Sequence, residues 1–219
     1  MRKRIGAWIL CGALAAALVW GFFGLGRASS GEESALRQGL IYLYLGFPRE
    51  AAALLAQARE AGPPEPELGL AFSLSLEALG RPDEAAAALE ALAASFPAEA
   101  QNERAALQAL EAIFLEAAGD RKRAEEKYRQ ALESSPRLAV AHRRLALVLW
   151  ARGEKEEALW HLRRSVEESP EYLAAWLERG RLSRSLDRRE ESKASYEAVL
   201  RLDPGNEEAK AALKELAGS

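Results

Sequence analysis

The sequence predicts an all-α protein built of repeated helix–turn–helix units, and three observations support this. Apolar residues make up 49% of the 219-residue chain, and threonine is absent. Alanine and leucine dominate the apolar residues, a bias that favours helix. The segment "ARGEKEEALWHLRRSVEESP" (151–170) recurs in similar form four times elsewhere. Each copy ends at a proline, and four of the five carry a glycine at the same internal position.

The first predicted element is an uncharged N-terminal segment. No charged residue occurs in the 22 residues from Ile5 to Gly26, which at about 1.5 Å per residue would span a hydrocarbon core of about 30 Å. Basic residues are concentrated before this segment, so we expect a cytoplasmic N-terminus and an exported remainder. Residues 1–30 are therefore expected to be a single-pass membrane anchor, with the rest in the periplasm or outside the cell.

A cleaved signal peptide is the alternative for this segment. Small residues near Ala28 give a plausible cleavage site before Ser29, and cleavage there would yield a secreted protein. The apolar run is longer than a signal sequence needs, which favours the anchor. The single cysteine, Cys11, lies within this run, so neither a disulfide within the chain nor a cysteine-based metal site is expected.

Five copies of one pattern follow the N-terminal segment. A small residue recurs at spacings of 34, 39, 34 and 34, at Ala51, Ala85, Ala124, Ala158 and Ser192. The copies end at prolines 63, 97, 136, 170 and 204. The units are approximately 32–65, 66–99, 100–138, 139–172 and 173–206. Extra residues around "PAEAQ" should lengthen the third unit, and residues 207–219 are predicted to form a polar-faced capping helix.

This layout resembles the tetratricopeptide repeat over about residues 31–219. The resemblance implies that each unit is a pair of antiparallel helices and that the units stack into a right-handed superhelical solenoid. It also implies a small residue on each first helix, here Gly39, Ser73, Ala112, Ala146 and Gly180. Gly46, Gly80, Gly119 and Gly153 fit the left-handed turn after that helix, and the fifth copy lacks this glycine. Glu111 and Arg179 stand where leucine is usual, so their helices are expected to pack in a shifted way.

The resemblance further implies that the first helices line a concave groove that binds a partner segment. At the N-terminal end the matching positions are mainly apolar: Leu36, Leu40, Leu43, Leu70, Leu74 and Glu77. The third unit contributes Ala109, Ile113 and Glu116. The C-terminal end carries arginines and an exposed tryptophan: Arg143, Leu147, Trp150, Leu177, Arg181 and Arg184. Guanidinium groups beside an indole suit an acidic segment or a chain-terminal carboxylate. Ordinary solvated helix faces are the alternative for these arginines.

Reactive side chains fit the repeat architecture better than a catalytic site. His142 falls in the large first position of the fourth unit, and His161 precedes the helix-B position filled by Leu162. These two histidines lack the further ligands that a metal needs. The four aspartates fall in turns or before closing prolines. We therefore expect no enzyme activity, no metal and no cofactor. A formal net charge of −3 also argues against nucleic-acid binding.

The function that follows is a membrane-tethered protein–protein interaction scaffold, most simply an adaptor or assembly factor for an envelope complex. A permanent accessory subunit of a larger membrane complex is the alternative. The latter would show broad apolar contact area and be unstable alone.

Overall fold

The computed structural model describes residues 30–61 and 66–218. The predicted anchor, residues 1–30, lies almost entirely outside this part of the chain. Among the described residues, none of the helices combines the length and the apolar character that crossing a membrane requires.

The described residues form helices joined by short turns, with no strand among them. The helices are α1 (Ser30–Tyr44), α2 (Pro48–Ala61), α3 (Pro66–Ala78), α4 (Pro82–Ser95), α5 (Gln101–Ala118), α6 (Arg121–Ser134), α7 (Ala139–Arg152), α8 (Lys155–Glu168), α9 (Leu173–Ser185), α10 (Arg189–Leu202) and α11 (Glu207–Gly218). They belong to two compact units, which divide between Ser95 and Phe96. The first contains α1–α4 and the second α5–α11.

Side chains at the repeated positions form the interior of each helix pair. The small residue of each second helix has no exposed surface: Ala51, Ala85, Ala124, Ala158 and Ser192. The residue four positions later is equally buried: Leu55, Leu89, Tyr128, Leu162 and Tyr196. Residues four apart share a helix face, so each second helix presents one small and one large side chain to its neighbours. The packing positions predicted from the repeat are confirmed.

The turns after the first helices have the predicted left-handed geometry. Gly46, Gly80, Gly119 and Gly153 have φ of 82°, 74°, 91° and 89°. In the fifth copy Asp187 stands at the glycine position, and it takes the same conformation with φ 57°. An aspartate tolerates this region better than most residues, so the turn survives the loss of glycine.

The two charged residues that replace leucine in the repeat pattern both form ion pairs. Glu111 is 1% exposed, and its Oε1 lies 2.9 Å from Nζ of Lys127 on the neighbouring helix α6. Arg179 donates to Oε1 of Glu191 from Nε and Nη2, and its guanidinium lies 5.2 Å from the ring centre of Trp176. The extra residues of the third copy lengthen α5 to 18 residues.

The last helix, α11, covers the end of the fifth helix pair. Ala209 and Ala212 pack against Tyr196 and Val199 of α10, while Glu207, Glu208 and Lys210 stay exposed. A polar outer face on a terminal helix shields the core from solvent.

Candidate partner-binding surface

The predicted arginine site lies on α7 and α9 of the second compact unit. Arg143 on α7 donates to both carboxylate oxygens of Glu178 on α9, at 2.8 and 2.7 Å, and to the hydroxyl of Tyr172 at 3.1 Å. The side chains of Arg143 and Glu178 are only 16% and 12% exposed. A bidentate pair of this kind fixes geometry as well as charge. Arg143 therefore joins two successive helix pairs.

Arg181 and Arg184 differ from Arg143 because their ion pairs face solvent. Arg181 Nε donates to Glu208 Oε1 at 2.6 Å, and the side chains are 46% and 41% exposed. Arg184 Nη1 donates to Glu215 at 2.9 Å, again between exposed side chains. Both acceptors belong to the cap, α11. Hydrogen bonding from Arg181 lowers the pKa of Glu208 from its ordinary value. Exposed pairs of this kind contribute little free energy to the fold.

The apolar residues beside the arginines are less accessible than predicted. Trp150, expected to be exposed, is partly buried. Leu177 packs against the cluster of Tyr196, Val199 and the cap helix, and Leu147 is partly buried. The prediction of an exposed indole at this surface was wrong, because Trp150 is only partly accessible to solvent.

The third copy contributes an acidic position to the same unit. Glu116 on α5 accepts a hydrogen bond from the hydroxyl of Tyr128 at 2.7 Å and lies 3.5 Å from Arg144. Burial, followed by the charge of Glu116, raises the pKa of Tyr128. Ala109 is buried and Ile113 partly buried. These contacts join α5, α6 and α7, so the carboxylate of Glu116 already has partners within the protein.

The apolar groove positions of the first unit lie largely in its interior. Leu36, Leu40 and Leu43 pack against the core formed by Ala51, Leu55, Leu68 and Ala71. Leu70 is 5% exposed, so its prediction as a binding-surface residue was wrong. Leu74 and Glu77 are partly buried, and burial raises the pKa of Glu77. The leucines of the first helices are used by the fold itself.

Sequence reasoning missed a buried pair of histidines. The Nδ1 atoms of His142 and His161 lie 2.9 Å apart, and the two residues are 4% and 6% exposed. They are the only histidines of the chain, one on each helix of a single antiparallel pair. That placement was a signal that the two rings could meet. Their burial agrees with the structural role predicted for His142.

Trp160 covers the histidine pair from the solvent side. Its ring lies edge-on to both imidazoles, with centroids 5.9 Å from His142 and 4.8 Å from His161. Trp160 itself is 52% exposed. Together with Leu132, Pro136 and Arg164 these rings line an open pocket of about 380 Å³. In the described part of the chain, no three histidine, cysteine or acidic side chains are grouped so as to hold a metal ion.

Family comparisons agree with the repeat geometry. The model of the tetratricopeptide repeat-like domain matches residues 70–216, and a second tetratricopeptide-repeat model matches residues 36–68. The chain belongs to the tetratricopeptide-repeat family. Among curated proteins, no significant sequence match was found.

Solved tetratricopeptide-repeat structures share the fold. PilF of Pseudomonas aeruginosa is 18% identical, with a TM-score of 0.69 over 86% of this chain and 83% of its own. A thermophilic repeat protein of Thermus thermophilus, TTC0263, is 20% identical, with a TM-score of 0.58 over 86% and 100%. YrrB, described as having an unusual peptide-binding site, is 18% identical, with a TM-score of 0.59 over 82% and 90%. At these identities the likeness concerns the fold.

Proposed function

We propose that this tetratricopeptide-repeat protein is a membrane-tethered adaptor that binds an acidic segment, or a chain-terminal carboxylate, of a partner protein. Repeats of this family mediate protein–protein interactions, and the described residues form such repeats. The partner would be a component of an envelope complex that the adaptor helps to assemble. The uncharged segment from Ile5 to Gly26 would tether the chain, with the repeats in the periplasm or outside the cell.

The proposal depends on one observation: two solvent-exposed ion pairs connect α9 to α11. Arg181 and Arg184 lie about one helical turn apart, and each reaches a glutamate of the cap that is itself exposed. A partner carboxylate that displaces Glu208 or Glu215 replaces one exposed ion pair by another at little cost. Planar guanidinium groups bind carboxylates bidentately, which adds orientation to charge.

Arg143 has a different part in this surface. Its pair with Glu178 is largely buried, and separating the two would leave a charge without its partner inside the protein. We therefore assign Arg143 to the support of the surface, and Arg181 and Arg184 to partner binding. Leu147, Trp150 and Leu177 would supply apolar contact through their exposed edges.

Site-specific photo-crosslinking in intact cells tests partner binding. The full chain would carry benzoylphenylalanine at Ala151, an exposed residue next to Trp150 on α7, or at Lys193, an exposed residue on α10. We expect a discrete partner adduct from position 151 and none from position 193. Arg181→Gln with Arg184→Gln should remove that adduct. Removing two other arginines, Arg188→Gln with Arg201→Gln, should leave it.

Two outcomes would contradict the proposal. Equal adducts from positions 151 and 193 would show that contact is not specific to this surface. An unchanged adduct after loss of Arg181 and Arg184 would exclude these arginines from binding. The anchor is tested separately by N-terminal sequencing of the membrane fraction, in which a chain beginning near Ser29 would mean cleavage and release.

A further inference from the structure

Five large apolar side chains are exposed within seven residues at the junction of α1 and α2. Tyr44 is 92% exposed, and Ile41, Tyr42, Leu45 and Phe47 are between 39% and 58% exposed. The other large apolar residues exposed in the described chain, Trp160 and Leu202, lie singly along the sequence. Contiguous exposed apolar surface on a soluble domain marks a contact with another body. We call residues 41–47 the junction patch.

The helix that carries most of this patch is apolar on two sides. Leu36, Leu40 and Leu43 of α1 face the core of the first unit. At about 100° per residue, Ile41 and Tyr42 lie on the opposite side, and Leu45 follows directly after the end of the helix. A surface helix of a globular domain usually has one apolar face, which packs on the core. Because α1 has apolar residues on its outer face as well, we infer that this face contacts a second apolar environment.

The charge around the junction patch differs from that of the residues that follow. Between Ser34 and Arg49 there is no acidic residue, and Arg37 and Arg49 are the charged ones. Residues 50–100 carry nine acidic and two basic side chains. The junction patch is therefore uncharged and is flanked by one arginine on each side, within a stretch (34–49) that has no acidic residue. Such a stretch fits anionic lipid headgroups, and tyrosine rings favour the membrane interface.

The position of the patch in the chain favours a bilayer as its neighbour. The uncharged segment ends at Gly26, and α1 begins four residues later at Ser30. The 15 residues of α1 extend over about 22 Å. A helix of this length that starts at the headgroups can lie along the surface with its outer face down. The patch then reaches the same leaflet from which the chain emerges.

We propose that the junction patch docks onto the lipid surface beside the anchor, with Ile41, Leu45 and Phe47 in the interfacial region. Arg37 and Arg49 lie at the phosphate level. The inference rests on the proposed anchor, which it extends: the membrane positions the first helix pair as well as tethering the chain.

Fluorescence of the full chain in proteoliposomes tests this docking. In a Cys11→Ser background, Leu45→Cys carries an environment-sensitive nitrobenzoxadiazole label. The matched control carries it at Ala87→Cys, an exposed position on α4 of the same unit. Vesicles of phosphatidylethanolamine and phosphatidylglycerol contain lipids that bear a shallow spin label. We expect position 45 to be quenched by the lipid label and several-fold less by iodide than position 87.

The possible failures separate the docking from the anchor. If iodide quenches positions 45 and 87 equally while the chain resists alkaline extraction, the docking is overturned and the anchor stands. A label at position 45 that is shielded from both quenchers means a protein occupant, either a partner or a second copy, and also overturns the docking. Alkaline extraction of the chain from the vesicles overturns the anchor and the docking together.

Discussion

His142 and His161 face each other through their Nδ1 atoms at 2.9 Å, and the surrounding structure assigns the proton between them. Nε2 of His142 lies 2.9 Å from the carbonyl oxygen of Pro136. One repeat later, Trp176 Nε1 donates to the carbonyl oxygen of Pro170 at 2.8 Å. A carbonyl only accepts, so His142 carries its proton on Nε2 and its Nδ1 accepts from His161 Nδ1–H.

The first prediction is that both imidazoles are neutral at pH 7 in opposite tautomers. ¹⁵N-histidine labelling gives two ring systems, because the chain has two histidines. Long-range ¹H–¹⁵N correlation spectra should show His142 protonated at Nε2 and His161 protonated at Nδ1. His161→Gln should simplify the spectrum to one Nε2–H ring. Two rings of the same tautomer would contradict the shared hydrogen bond.

The second prediction is a loss of stability on mild acidification. Burial, followed by the neighbouring His142, lowers the pKa of His161 to about 4, and burial lowers the pKa of His142. In the unfolded chain both imidazoles bind a proton below about pH 6.5, whereas in the folded protein they resist protonation. The free energy of unfolding therefore has its full value above about pH 6.5 and falls as the pH drops toward about 4. For His161 the loss reaches at most about 3 kcal/mol.

Charged side chains near the two histidines also affect their pKa values. Glu157 and Arg129 act on His161, and the side chains of α8 that act on His142 are Arg164, Glu167 and Glu168. Thermal unfolding followed by circular dichroism at pH 7, 6 and 5 measures the effect. The double variant His142→Gln with His161→Gln should have a lower midpoint with little pH dependence. An equal slope in the two proteins would assign the acid sensitivity to other groups.

The third prediction concerns the close approach of Gly180 to Tyr196. A Cβ at position 180 would lie 2.9 Å from Cζ of the Tyr196 ring, which is fully buried. Gly180→Ala gains about 1 kcal/mol in helix propensity, but overpacking a rigid ring costs about 1–3 kcal/mol. We expect net destabilisation in chemical unfolding. In a Tyr196→Leu background the same change should be neutral or stabilising, and destabilisation there of equal size would show that the ring is not the obstacle.

The repeat register, and with it the core of each helix pair, was predictable from the sequence. The small and large positions of the second helices recur at fixed spacing, so one aligned residue places all the others. Exposure was harder to predict: Leu70 is buried and Trp150 partly buried, although both stand at positions that the repeat assigns to the groove. Periodicity gives the direction of a side chain but not its neighbour across the interface.

The partners of the arginines were equally hidden. Arg143 pairs with a glutamate 35 residues later, and Arg181 with one 27 residues later. In each pair the arginine and the glutamate lie on different helices. The distance between their charged groups therefore depends on the packing angle between those helices. To predict the contact between the two histidines, one must know how α7 and α8 are aligned across the turn that joins them. The repeat pattern contains this alignment, but no sequence motif marks it.

The fourth prediction is that Asp187→Gly stabilises the fifth turn. Asp187 adopts φ 57°, which the other four copies assign to glycine. A residue with a Cβ is disfavoured in this region by about 1 kcal/mol, while glycine enters it freely. The thermal midpoint should rise slightly. The reverse change, Gly153→Asp, should lower it, and a lower midpoint for both variants would mean that the aspartate side chain itself stabilises its turn.

The fifth prediction separates the supporting arginine from the binding arginines. Arg143→Gln leaves Glu178 largely buried without its bidentate partner, so we expect a loss of about 2 kcal/mol or more in the free energy of unfolding. Arg181→Gln breaks an exposed pair and should cost less than about 1 kcal/mol. Urea unfolding of the two single variants measures the difference. Equal losses would mean that Arg181 also supports the fold, and its pair with Glu208 would then be too strong for a partner carboxylate to displace.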